Sequence, residues 1–272
     1  MLTAVGTTGT RGVVTLRNGD LTYTAPASGS SDAFTYTVTD EELHESATGN
    51  VSVALNPSLT GNGTLIFTGS GNIVDVGNGN DQVTVSGDHN TLIVGGGNDQ
   101  LSITRNNIIS AGGGNDTLSL TGNNGTVTLG GGNDNVTVSG TGESITAGTG
   151  NDTFTLGASM ASLFLHGLHD TVAINGGTDS ITATPNSTDA LSLQIGALGG
   201  TVSVANCDVA RGVVLLAQAL ASAEGWTTSA QIAAALGMDG HGGSLLSLGN
   251  FGSIDFQNVP KTQLTASNFH IG

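Results

Sequence analysis

One short string recurs down the middle of the chain and limits the folds open to it. GNGNDQVTV, GGGNDQLSI, GGGNDTLSL, GGGNDNVTV and GTGNDTFTL follow in order, with aspartates at Asp81, Asp99, Asp116, Asp134 and Asp152 and a degenerate copy at Asp170. The gaps are 18, 17, 18, 18 and 18 residues. Weaker half-repeats (SGDHN, TRNN, TGNNG and SGTGE) lie between them, offset by about nine. A unit this short has no core of its own and buries its apolar side only against its neighbours. Two halves, each one turn and one short strand, make one coil of a parallel β-solenoid.

The interior is readable from the same register. Val83, Leu101, Leu118, Val136 and Phe154 stand two residues after the aspartates; Val85, Ile103, Leu120, Val138 and Leu156 stand four after. Thr84, Ser102, Ser119, Thr137 and Thr155 lie between them. Alternation with period two sends the aliphatics inward and the hydroxyls outward. Stacking at about 4.8 Å then builds continuous apolar columns.

Charge narrows the partners. Five basic residues against 21 acidic ones leave a formal charge of −16, which argues against nucleic acid or an anionic membrane and in favour of cations. Cys207 is the lone cysteine, so neither an internal disulfide nor a cysteine-based zinc cluster is expected. No stretch approaches 18 apolar residues, so no membrane-spanning helix is expected. MLTAVGTTGTRG does not read as a secretory signal, which leaves export by a C-terminal signal open.

The run G-x-G-N-D has its own chemistry. Glycines permit a tight turn with carbonyls pointing inward, and the aspartate adds a short carboxylate arm. Carbonyls plus carboxylates form the hard oxygen set that calcium prefers, and nothing in the run favours zinc or copper. Carboxylates stacked about 5 Å apart repel by roughly 3 kcal/mol per adjacent pair at an effective dielectric of 20. Divalent ions between them would convert that repulsion into cross-links. The alternative is a metal-free solenoid in which Asn and Asp only close the turns.

These repeats resemble the RTX (repeats-in-toxin, haemolysin-type) family, whose nonapeptide is GGxGxDxUx with U a large aliphatic. The resemblance covers roughly residues 69 to 182 and implies a right-handed parallel β-roll in which aspartates and turn carbonyls share Ca2+. The matching positions are Gly77 and Gly79, Gly95 and Gly97, Gly112 and Gly114, Gly130 and Gly132, Gly148 and Gly150, with Asp81, Asp99, Asp116, Asp134, Asp152 and Asp170. Val76, Val94, Ala111, Leu129 and Ala147 replace the family's first glycine, and His166 and Leu168 occupy glycine slots before Asp170. The opposite file of turns carries Asn72, Asn90, Asn107, Gly125 and Glu143, so calcium is expected on one side, with Asp179 a candidate to restore a site near the end.

The flanks differ. Residues 1–56 alternate as strands in NGDLTYTAP, DAFTYTVTD and NVSVALN; they resemble part of a bacterial cadherin-like or Ig-like module and imply a partial β-sandwich. Residues 57–184 form the roll, and 185–272 are expected to be a small α+β cap, with helices over 209–224 and 229–236. MDGHGGSLLSLGNFGSIDF and LTASNFHIG resemble the ends of RTX proteins exported by type I secretion, which makes that machinery an expected partner. The fold class expected is all-β.

No HExxH or G-x-S-x-G string occurs, and His166 and His169 have no third ligand near in sequence, so no catalytic residue is expected. Three functions stay open. They are a calcium-binding C-terminal segment of a large surface or adhesin-like protein with a cell-surface or host ligand, the export appendix of a secreted hydrolase, and an ice-binding solenoid. The outward turn slot Asn78, Gly96, Gly113, Gly131, Thr149 forms no regular ladder for the last.

Overall fold

The computed structural model describes residues 2–18, 20–24, 31–54, 61–68, 70–157, 160–167, 169–184, 191–197, 199–206, 208 and 211–272. Cys207, Leu168 and Leu55 fall outside them. Most of the chain is β, and two long sheets wind as a solenoid of about eight turns.

A ten-stranded sheet begins at Thr64–Phe67 and Gln82–Val85 and runs through Gln100–Ile103, Thr117–Leu120, Asn135–Val138 and Thr153–Leu156. It continues through Thr171–Asn175, Ser192–Ala197 and Val213–Leu216 to Phe269–Ile271, every neighbour parallel. The opposite sheet has eleven strands, from Ile73–Gly77 and Thr91–Val94 to Thr201–Ala205 and Ser253–Gln257. It closes with the antiparallel strands Ser244–Ser247 and Gly237–Met238.

Register puts like above like. Val83, Leu101, Leu118, Val136, Phe154 and Val172 pair in sequence, as do Val85, Ile103, Leu120, Val138, Leu156 and Ile174. Val74, Leu92, Ile109, Val127, Ile145, Leu163 and Ile181 face them from the opposite sheet. All are buried, so the apolar columns expected from the alternation are present. The 17-residue gap disturbs neither sheet. The missing residue falls in the turn Thr104–Asn107, where Arg105 takes a left-handed φ of 66°, and the strands on both sides keep register.

The C-terminal region corrects one expectation. The helix expected over 209–224 is not one helix among the described residues 211–224: Val213–Leu216 is a strand parallel to Ser192–Ala197, and only Gln218–Ala223 is helical (α1). The VVLL run is apolar and opens on two β-branched valines, and it pairs with an open parallel edge, while the alanine-rich residues that follow take the helix. The second helix is found at Ser229–Ala235 (α2), with Thr228 and Gln231 forming a capping box. Both long sheets thus run on past residue 184, where the repeat signal stops.

The N-terminal strands make a three-stranded antiparallel sheet (Leu2–Gly6, Ser31–Asp40, Glu45–Ala54) and a hairpin (Val13–Arg17, Asp20–Thr24). Asp32 joins the two, accepting from the amides of Arg11 and Gly12 and from the Tyr23 hydroxyl. Desolvation raises its pKa, but these donors prevail and hold it down to about 2.

The columns predict unequal costs within one coil. Phe154→Ala empties a fully buried slot and should cost about 3–5 kcal/mol, whereas Phe164→Ala removes a ring that is 43% exposed and should change stability by about 0.5 kcal/mol or less. Urea unfolding of the two variants measures the difference.

Candidate metal centre

Each repeat places its Asn–Asp pair at the corner leading into the ten-stranded sheet. The aspartates stack as one file in which each Oδ1 accepts the backbone N–H of its counterpart one coil earlier. Asp81 donates to Asp99 at 2.7 Å, Asp99 to Asp116 at 2.9 Å and Asp116 to Asp134 at 2.8 Å. Asp134 donates to Asp152 at 2.9 Å and Asp152 to Asp170 at 2.8 Å. Asp170 joins the file despite its altered turn. Gly63 stands where an aspartate would begin the file, and its N–H donates to Asp81 at 2.7 Å.

The second oxygens are another matter. The Oδ2 atoms of Asp81, Asp99, Asp116, Asp134 and Asp152 are buried and have no hydrogen-bond partner. The side chains themselves are only 1–2% exposed. Burial is the main reason the pKa values of Asp99 and Asp134 rise. Burial also pushes Asp116 and Asp152 up to about 6, with the neighbouring carboxylates adding to it and the amide donor opposing it.

In most turns both glycines lie too close to the preceding coil for a Cβ, and the second also has a positive φ. Gly97 has φ of 141°, a region closed to side chains, and Gly79, Gly114, Gly132 and Gly150 have similar angles. Gly112 has no such angle, but a Cβ there would collide with the carbonyl oxygen of Gly95 one coil below. Gly95, Gly130 and Gly148 meet the preceding coil in the same way, and Gly77 begins the series with φ of 74°. The buried Val76, Val94, Ala111, Leu129 and Ala147, in place of a first glycine, extend the core to the turn entry.

On the opposite side the same position is solved with amides. Asn90 and Asn107 accept the N–H of the residue one coil earlier through Oδ1, at 2.9 and 2.8 Å. Their kind also donates: Asn72 Nδ2 reaches the Ser70 carbonyl at 2.7 Å, and Asn107 Nδ2 reaches those of Thr104 at 2.7 Å and Gly87 at 3.0 Å. Gly125 leaves room for the longer Glu143, whose carboxylate accepts the Gly125 N–H and whose Oε2 lies where a Gly125 Cβ would stand. Burial raises the Glu143 pKa. Asp179 belongs to this file, accepting from the Ala161 N–H at 2.8 Å.

A third ladder was not foreseen. Asn62, Asn80, Asn98, Asn115 and Asn133 each use Oδ1 to accept the N–H of the next asparagine, ending at Asn151, at 2.7–2.9 Å. Asn before each Asp was plain in the repeat; the direction of its side chain was not.

Among the described residues no group of three or more His, Cys, Asp or Glu side chains converges. Each carboxylate has like neighbours only above and below, so further ligands for an ion would be turn carbonyls. No family model matches the chain, and no curated protein matches it.

The raised values predict a pH dependence. For a carboxylate whose folded pKa exceeds its unfolded 3.8, the metal-free fold is favoured in acid and loses stability as pH climbs to about 6. Asp32, held low, acts oppositely and matters only as pH falls from 3.8 toward 2. Without metal, the solenoid should therefore melt higher near the lower bound of the first window than at neutrality. Asp116→Asn, which keeps the Oδ1 acceptor, should raise the neutral melting temperature and flatten the profile. Calorimetry against pH in chelator checks both.

Proposed function

We propose that the solenoid is a calcium-binding β-roll of the RTX type, belonging to a secreted, adhesin-like surface protein. The observation that carries this reading is the contrast between the two turn files. An asparagine accepts an amide with one side-chain atom and donates to turn carbonyls with the other. An aspartate in the equivalent place accepts with Oδ1 and has nothing to donate. A cation between Oδ2 and the turn carbonyls would do what the second amide hydrogen-bonding arm does opposite. The donor set, carboxylate plus carbonyl oxygen, is that of a hard divalent ion.

Asp81, Asp99, Asp116, Asp134, Asp152 and Asp170 would supply the carboxylates, and the turn glycines 77 to 150 named above the carbonyls. Calcium supplies charge neutralisation and coil-to-coil bridging when bound. The chain's own share is to hold Oδ1 of Asp81, Asp99, Asp116, Asp134 and Asp152 on an amide, so that their Oδ2 atoms are the oxygens left for a ligand. Weak extracellular affinity, on the order of 0.1 to 1 mM, would keep the chain loosely folded in a calcium-poor cytosol and fold it after export. Type I export rests on the terminal strings alone. Fusing residues 205–272 to a passenger with no signal and assaying the medium tests it; retention inside the cell rejects it.

Calcium stoichiometry separates the two files. Asp116 has counterparts above and below, so Asp116→Ala should remove about two sites and weaken cooperativity. Asn107→Ala should leave the stoichiometry unchanged and cost about 1–3 kcal/mol for orphaned turn carbonyls and the Asn90 amide. Titration calorimetry with far-UV dichroism decides it. Equal calcium loss in both variants, or no spectral response to chelator in the parent, rejects the reading.

A further inference from the structure

The asparagine ladder opens, at the N-terminal end of the solenoid, into a shallow groove of about 420 Å³. Asn62, Asn80 and Asn98 line one flank, and Thr64, Gln82 and Gln100, the first outward positions of the adjoining strands, line the other. All six are exposed. Asp81 lies at the bottom, buried, with its Oδ1 held by the Gly63 amide.

The lining excludes most ligand classes. It includes no Lys or Arg to attract an anion and no apolar side chain to shelter a hydrocarbon. What it offers is neutral hydrogen bonding, partly fixed in advance. Asn62 and Asn80 have their Oδ1 atoms committed to the amides of Asn80 and Asn98, which sets each carboxamide plane without further loss of rotamer freedom. Their Nδ2 donors remain for a ligand. Gln82 and Gln100 are not so committed and present both a donor and an acceptor. Successive amides repeat at about 4.8 Å, the coil spacing, which is comparable with the length of one pyranose unit in an extended glycan. The same exposed ladder continues along the axis as Asn115, Asn133 and Asn151.

We propose that this groove binds a neutral oligosaccharide lying along the solenoid axis, with Gln82 and Gln100 contacting ring hydroxyls and Asn80 and Asn98 donating to ring or hydroxyl oxygens. The contact needs no charge, so salt leaves it unchanged, unlike any contact made through the acidic surface.

The test uses the full chain, saturated with calcium and shown by dichroism to be folded. Cellohexaose and laminarihexaose are the probes, read by saturation-transfer NMR and titration calorimetry at low and high salt. Binding of at least one probe in the ~mM range, insensitive to salt and reduced roughly tenfold in the double variant Gln82→Ala/Gln100→Ala, supports the proposal. Both glutamine side chains point outward from the sheet, so dichroism of the variant should match the parent. No saturation transfer to either probe on folded protein overturns it, as does binding that the double variant leaves intact or that salt abolishes. A chain that folds without calcium but still binds the glycan would reject the metal reading and leave this one standing.

Discussion

The hydrogen bond from each aspartate amide to the carboxylate of the next coil sets the terms for the whole solenoid. It fixes the coil spacing at the corner where the turn meets the ten-stranded sheet. It also draws every carboxylate out of water, because an oxygen that reaches an amide beneath the turn is covered by the coil above. In Asp81, Asp99, Asp116, Asp134 and Asp152 one oxygen is then satisfied and the other is not. A buried charged atom without a partner is costly, and here the cost recurs at each coil instead of being confined to one site. Protonation relieves that cost, as the raised pKa values of Asp116 and Asp152 reflect, and in the ionised state neighbouring carboxylates also repel one another.

The asparagine file shows what the same backbone does without ions. Asn107 accepts one amide and returns its own hydrogens to Thr104 and Gly87, so the turn closes on itself even where the coil is one residue shorter. Glu143 and Asp179 are the carboxylates on that side, and Gly125 beneath Glu143 has no side chain to block it. The two faces therefore differ in kind. One is closed mainly by asparagine amides, with carboxylates only at Glu143 and Asp179, and the other carries an unbroken row of carboxylates from Asp81 to Asp170.

The apolar columns were legible because strand alternation needs only period two: Val83 with Val85, or Phe154 with Leu156, is enough to name the inward side. The aspartate file was legible because repetition itself marks it. The strand Val213–Leu216 was not, since its partner edge, Ser192–Ala197, lies outside the repeat and only tertiary pairing separates VVLL from the helix that follows. The asparagine ladder was visible as residues but not as geometry. Whether an Asn side chain reaches inward, as Asn107 does, or along the surface, as Asn98 does, depends on turn dihedrals that the letters do not carry. Asp179 looked like part of a repeat signal, but its register with Ala161 is what assigns it to the opposite file.

The carboxylate file ends where the core changes character. Register carries Asp170 onto Leu191 and Asp179 onto Val202, both buried, so the next coil fills the same corners with apolar side chains. From there the packing becomes that of an ordinary domain. Phe256 and Phe269 meet edge to face at 6.4 Å between centroids, and Leu220, Ile232 and Leu236 of the helical segment join the same cluster. These coils bury apolar side chains at the corners where the earlier ones bury carboxylates. They also present the ready-made strand edges Ser192–Ala197 and Thr201–Ala205 to the coils before them. In a stack whose stability comes from neighbours, a finished end removes the nucleation cost for the next coil. The aspartate-bearing coils, each with a buried carboxylate at its corner, therefore stack against an end whose equivalent corners are apolar.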